Sequence, residues 1–130
     1  MVWNSCGGGS WLFDMATEFS LPSFTGIDIS PVIPQGIKPK NVEFLQRDVL
    51  NGLPFQDNSI DYVHQELLVA GVPSDRWQSL INDIVRVLKP GGYLEVLYLK
   101  NMKNHLKFNF VKIFEIFDPT YSIFSYWNLM

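Results

Sequence analysis

Cysteine is nearly missing from this chain: Cys6 is the single one, so an intramolecular disulfide is excluded, and no Cys/His spacing resembles a zinc site. No metal is expected, and the usage fits a reducing, intracellular compartment, cytoplasmic or nuclear. Charge is also sparse, at 18% of residues, with a net charge of −3, a pI near 5.2 and no dense Lys/Arg run. A protein that tracks phosphates usually carries a basic excess, so there is no nucleic-acid signature. Missing too is an apolar run of membrane-spanning length, because Lys112, Glu115 and Asp118 break the most hydrophobic region. Nor does the amino terminus show the basic stretch, apolar core and small-residue cleavage site of a signal peptide. What the chain does have is 47% hydrophobic residues over 130, enough for one compact domain and too apolar for wholesale disorder.

Strand and helix patterns alternate along it. After an extended Val2-Trp3-Asn4, the run Ser5-Cys6-Gly7-Gly8-Gly9-Ser10 is a flexible turn into a helix over Trp11 to Phe19, with Ser10 placed to cap it and Leu21-Pro22-Ser23 to end it. Strands are expected over Phe24 to Ile29, over Val42 to Gln46 and over Ile60 to Val63. Between the first two, Pro31, Pro34 and Pro39 make Ser30 to Lys40 a loop, because each disfavours helical geometry in the residue before it. Trp77, Leu80, Ile81, Ile84, Val85 and Leu88 recur at three and four and predict the clearest helix, which Lys89-Pro90-Gly91-Gly92 should stop. Tyr93 to Leu99 then reads as a strand buried on both faces. This order implies an α/β, Rossmann-like doubly wound, mostly parallel sheet.

In such a sheet ligands bind beyond the carboxyl ends of the strands. Three features fall there: the Gly7-Gly8-Gly9 turn that opens a helix, Asp28 at the end of the second strand, and Asp48 after the third. Glycines let backbone approach a ligand, a helix amino terminus favours an anionic group, and a carboxylate can accept both hydroxyls of a ribose. The dinucleotide fingerprint itself is not matched, because Leu12 stands where its third glycine belongs. A nicotinamide-dependent oxidoreductase therefore rests only on the generic turn and acid.

The blocks Cys6 to Ala16, Gly26 to Pro31, Gly52 to His64 and Arg86 to Glu95 resemble, in order, the motifs of class I S-adenosylmethionine-dependent methyltransferases, including a fungal branch that contains regulators of secondary metabolism. The resemblance covers residues 2 to 99 and implies S-adenosyl-L-methionine as cofactor, with methyl transfer to an unknown acceptor. It puts Gly7 and Gly9 beside the methionine part, Asp28 on the ribose hydroxyls, and Asp48 with the backbone of Val49 beside the adenine amino group. His64 and Gln65 fall after the fourth strand, where the family lines the cofactor and the approach of the acceptor. No catalytic residue is assigned.

The resemblance also marks departures. The glycine motif of the family begins with an acid and a further glycine, where this chain has Trp3 and Ser5. The first strand, expected between the second and fourth, has only Met1 to Asn4 to supply it, and the last two strands and the acceptor-binding elements of the family have no recognisable counterpart, so the sheet should be incomplete at both ends. The division that follows is a partial cofactor-binding domain over 1–100 and an aromatic-rich tail over 101–130. In that tail Leu106, Phe110, Ile113 and Phe117 could share a helical face. It would either cover the sheet edge or be unrelated sequence, and its lack of strand-helix rhythm favours the second. A catalytically inactive cofactor-binding or interaction fragment is the alternative function.

Overall fold

Parallel strands cannot be joined by tight turns, and the chain supplies the long crossovers they need. The computed structural model describes residues 2–4, 7–31, 36, 38–66, 71–102 and 105–115, with backbone alone for 2–4, 97–102 and 105–115. Its strands are β1 (Val2–Asn4), β2 (Phe24–Asp28), β3 (Val42–Gln46), β4 (Ile60–Glu66), β5 (Leu88–Met102) and β6 (His105–Glu115). Helix α1 (Ser10–Glu18) follows β1, a single 3-10 turn at Val49–Asn51 follows β3, and α2 (Trp77–Val87) precedes β5. The strands form one sheet in the order β3-β2-β1-β4-β5-β6, parallel except for β6, which runs antiparallel to β5. The expected doubly wound, mostly parallel architecture is therefore present, with short β1 in the middle, Trp3 opposite Gly26 on one side and His64 on the other.

Two cores, one on each sheet face, follow from the residue periods. On α2 the buried Leu80, Ile81, Ile84 and Val87 repeat at three and four and meet Ile27, Val63, Leu94 and Val96 of the strands. On α1, Leu12 and Ala16, four apart, meet Phe24 and Val42. Phe24 and Ile27 lie an odd number of residues apart in β2, so they point to opposite faces, and the helices cover opposite sides of the sheet. Each fully buried aliphatic or aromatic side chain contributes about 1.5–3 kcal/mol, so these two stripes dominate what holds the layers together.

Four local expectations are corrected. Ser10 does not cap α1: Gly9 occupies the cap position at φ 77°, and among the described residues no side-chain hydrogen bond caps the helix. Strand β2 ends at Asp28, one residue earlier than expected. Strand β4 runs on through His64 and Gln65 to Glu66, because β1 and β5 pair with both of its edges there. Lys89-Pro90-Gly91-Gly92 lies inside β5 as a bulge: Ile60 pairs with Leu88, and Tyr62 next pairs with Tyr93. Gly91 there has φ 78°, and a Cβ on Gly92 would come within 2.9 Å of Lys89 O and 3.0 Å of Asp61 O. A side chain at 92 would collide with backbone on both sides.

The tail is corrected as well. Residues His105–Glu115 form a strand paired with β5 from Met102↔His105 to Tyr93↔Glu115, so Leu106, Phe110 and Ile113 belong to a strand and share no helical face. An unpaired β5 edge attracts a neighbouring segment whose backbone donors and acceptors need partners, and this outweighs the loose helical spacing. Phe117 and the other aromatics beyond 115 lie outside the described residues.

Candidate functional site

In the order β3-β2-β1-β4-β5, the chain leaves β1 toward one side for β2 and β3 and returns on the other side for β4 and β5. A crevice opens at the carboxyl ends of strands where the order reverses in this way. There the Gly7-Gly8-Gly9 turn leads into α1, and Gly9 packs against a ring: a Cβ at 9 would lie 2.7 Å from Phe44 Cζ. A Cβ at Gly7, in contrast, would meet nothing within 4 Å among the described residues. The two glycines thus differ in role, Gly9 accommodating the Phe44 ring and Gly7 turning its amide to Asp28.

Asp28 ties the crevice together. Its Oδ2 accepts from Gly7 N at 2.8 Å and its Oδ1 from Ser30 N at 2.8 Å. Each carboxylate oxygen can accept two hydrogen bonds, so these two contacts leave acceptor capacity on both. Asp48 stands at the head of the 3-10 turn, where Oδ1 accepts from Leu50 N at 2.9 Å and Oδ2 from Asn51 Nδ2 at 3.1 Å. Asp28, Asp48 and Val49 line one cavity of about 280 Å³ together with Ile29, Arg47 and Val72. Three of the seven expected cofactor residues are thereby brought to one place.

His64 and Gln65 are not. Successive strand residues face opposite sides, so His64 lies on the α1 side and Gln65 on the α2 side, and neither lines that cavity. His64 is only 4% exposed, its ring stacked on Trp11 with centroids 4.1 Å apart and an interplanar angle of 5°. Its Nδ1 lies 2.7 Å from Glu95 Oε2, and its Nε2 lies 3.8 Å from Glu66 Oε2. Tyr62 donates its hydroxyl to the same Glu95 oxygen. Burial first, and then the hydrogen bond and negative charge of Glu95, push the Tyr62 phenol well above its ordinary 10.0. Gln65 is 1% exposed, and its Oε1 has no hydrogen-bond partner among the described residues.

Glu95, Tyr62 and Trp11 were missed as a group at the sequence level, although a signal existed. Glu95 interrupts the apolar run Tyr93 to Leu99, and a carboxylate in a buried strand needs partners. The partners themselves could not be read, since they depend on which residue of β4 comes opposite.

Residues 4–92 match the methyltransferase domain family. The chain belongs to that family. It is 31% identical over 93 residues to the N-methyltransferase verN of Clonostachys rogersoniana, covering 68% of this chain and 32% of that one. It is 34% identical over 91 residues to the secondary metabolism regulator laeA of Coprinopsis cinerea, covering 70% of this chain and 22% of that one. Among solved structures, a SAM-dependent methyltransferase of Methanosarcina mazei superposes with a TM-score of 0.60 at 28% identity, covering 74% of this chain and 50% of the other. This methyltransferase-domain chain spans about a third of the length of the curated N-methyltransferase it matches. Among its described residues, no helix is long and apolar enough to cross a membrane.

Within the methyltransferase domain, the loop before β4 is held by Arg86 of α2. Its guanidinium donates to Leu53 O at 3.1 Å and Phe55 O at 2.9 Å, and pairs with Asp57 at 2.8 Å and Asp83 at 2.7 Å. Hydrogen bonds to Asp83 first and then Asp57 hold its pKa above the usual arginine range. Asp83 Oδ2 in turn accepts from Leu53 N at 2.5 Å.

Proposed function

We propose that this chain is the cofactor-binding part of an S-adenosylmethionine-dependent methyltransferase, with the nucleoside end of the cofactor in the cavity of Asp28, Asp48 and Val49. The observation that carries this reading is the convergence of those three residues on one cavity, with Asp28 also bonded to the Gly7 amide of the glycine turn. The residues present suit the group: Asp28 keeps acceptor capacity for two ribose hydroxyls while its other lone pairs fix the glycine turn. Asp48 and the backbone of Val49 border the place for the base, and Gly7 lets the methionine part pass close to the main chain. When bound, the cofactor supplies an electrophilic methyl group on a sulfonium, so the protein has to contribute mainly alignment and exclusion of water. His64, buried and engaged with Glu95 and Trp11, supports the turn in this reading and makes no direct contact with the acceptor.

Calorimetric titration with S-adenosylhomocysteine tests the site. Asp28→Ala should weaken binding at least tenfold more than Asp57→Ala, because each charge-assisted hydrogen bond lost is worth about 1.5–3 kcal/mol and only Asp28 borders the cavity. Equal effects, or no binding by the unaltered chain, would remove the proposal. A second reading, cofactor binding without catalysis, is motivated by Trp3, which stands where the family resemblance implies an acid. Trp3→Asp combined with Ser5→Gly should then raise affinity, and flat affinity would count against the altered motif as the cause. The position of Ser5 lies outside the described residues.

A further inference from the structure

The glycine turn and the first turn of α1 lack the usual local support. Gly9 at the cap position offers no side chain, no side-chain hydrogen bond caps the helix among the described residues, and Gly9 itself is at φ 77°. Among the described residues, tertiary contacts hold this turn: Asp28 Oδ2 accepts from Gly7 N, and two rings pack on it. Phe44 of β3 fills the space beside Gly9, and the His64 ring of β4 lies flat against Trp11, the second residue of the helix.

The imidazole is itself held. Glu95 stands in register opposite His64 on β5, and one of its oxygens accepts both from His64 Nδ1 at 2.7 Å and from the Tyr62 hydroxyl. Tyr62 and His64 are two apart on β4 and therefore point to the same face. An imidazole bonded in its plane to a carboxylate that is anchored a second time cannot swing about its side-chain bonds without breaking the chain. Its face is then a fixed platform for the indole.

We propose that Tyr62, Glu95 and His64 form a positioning chain: by fixing the imidazole plane they fix Trp11, and through it the first turn of α1 and the glycine turn whose Gly7 amide meets Asp28. None of the three touches the cavity; they act on it through Trp11. The consequence for ligand binding rests on the cofactor reading above, whereas the ordering of the turn does not.

Hydrogen exchange followed by mass spectrometry on the full chain tests it. Glu95→Leu should speed exchange across residues 7–13 several-fold and leave α2 unchanged. Glu95→Gln, which keeps an oxygen acceptor for both donors, should restore protection. His64→Asn, which keeps a donor toward Glu95 and removes the ring under Trp11, should behave like Glu95→Leu and serves where that variant does not fold. Unchanged exchange at residues 7–13 in the folded variant, or equal acceleration in both helices, overturns the proposal. Affinity for S-adenosylhomocysteine should fall about tenfold in Glu95→Leu. If the unaltered chain binds none while the exchange still separates the two helices, the cofactor reading fails and the positioning chain stands.

Discussion

At Gly9 two constraints coincide, a left-handed backbone and a ring 2.7 Å from where a Cβ would stand. Gly9→Ala should therefore destabilise the domain by roughly 1–3 kcal/mol, from strain and overpacking together. Phe44→Leu in the same chain should recover part of the loss, and urea unfolding of the single and double variants measures that coupling. Tyr62 makes a different prediction. The folded state raises its pKa above the ordinary 10.0, so folded protein keeps the proton that unfolded chain begins to lose near pH 10. That contribution is complete below about pH 10 and is lost as the pH rises further. Tyr62→Phe should flatten the decline of stability above about pH 10, and an unchanged slope would show that the folded state does not raise the phenol.

Among the elements, the connection between the 3-10 turn and β4 anchors Leu53 and Phe55 in the core and leans on α2 for its polar contacts. Leu53 is buried, while Arg86 bonds two carbonyls and two carboxylates around it. Arg86→Lys should loosen this loop, since an ammonium cannot reproduce the planar fork. With the side chain 36% exposed, solvent screening keeps the cost on the order of 1 kcal/mol, and faster proteolysis between residues 52 and 59 is the more sensitive measurement. Strand β5 shows why element boundaries were hard to read from the residues. Pro90, Gly91 and Gly92 look like punctuation after the helix, which ends at Val87, but they lie as a bulge inside the next strand, which begins at Leu88. Local chemistry gives the break; pairing with β4 decides what the broken segment becomes.

For the whole molecule, β6 changes the expectation for the tail. A chain ending at Lys100 would leave β5 without its antiparallel partner, and an exposed strand edge templates aggregation. Such a chain should give lower soluble yield and a lower melting temperature than the full chain; a higher yield would mean that β6 does not protect the edge. The alternation of strand and helix patterns, the apolar stripe of Trp77, Leu80, Ile81, Ile84 and Val85, and the order of glycine turn, Asp28 and Asp48 were all legible because periodicity and spacing are local properties of the chain. They determined the fold class, while the family rested on the resemblance of the four motif blocks between Cys6 and Glu95. The sequence alone could not place His64 and Gln65 on opposite faces, seat Trp11 on the imidazole or bring Glu95 opposite it. Those relations depend on strand register, and a shift of one residue would turn every side chain of β4 to the other face. Register is set by the packing of two cores against one sheet, so only the tertiary structure decided which of the expected residues share a cavity and which brace it from behind.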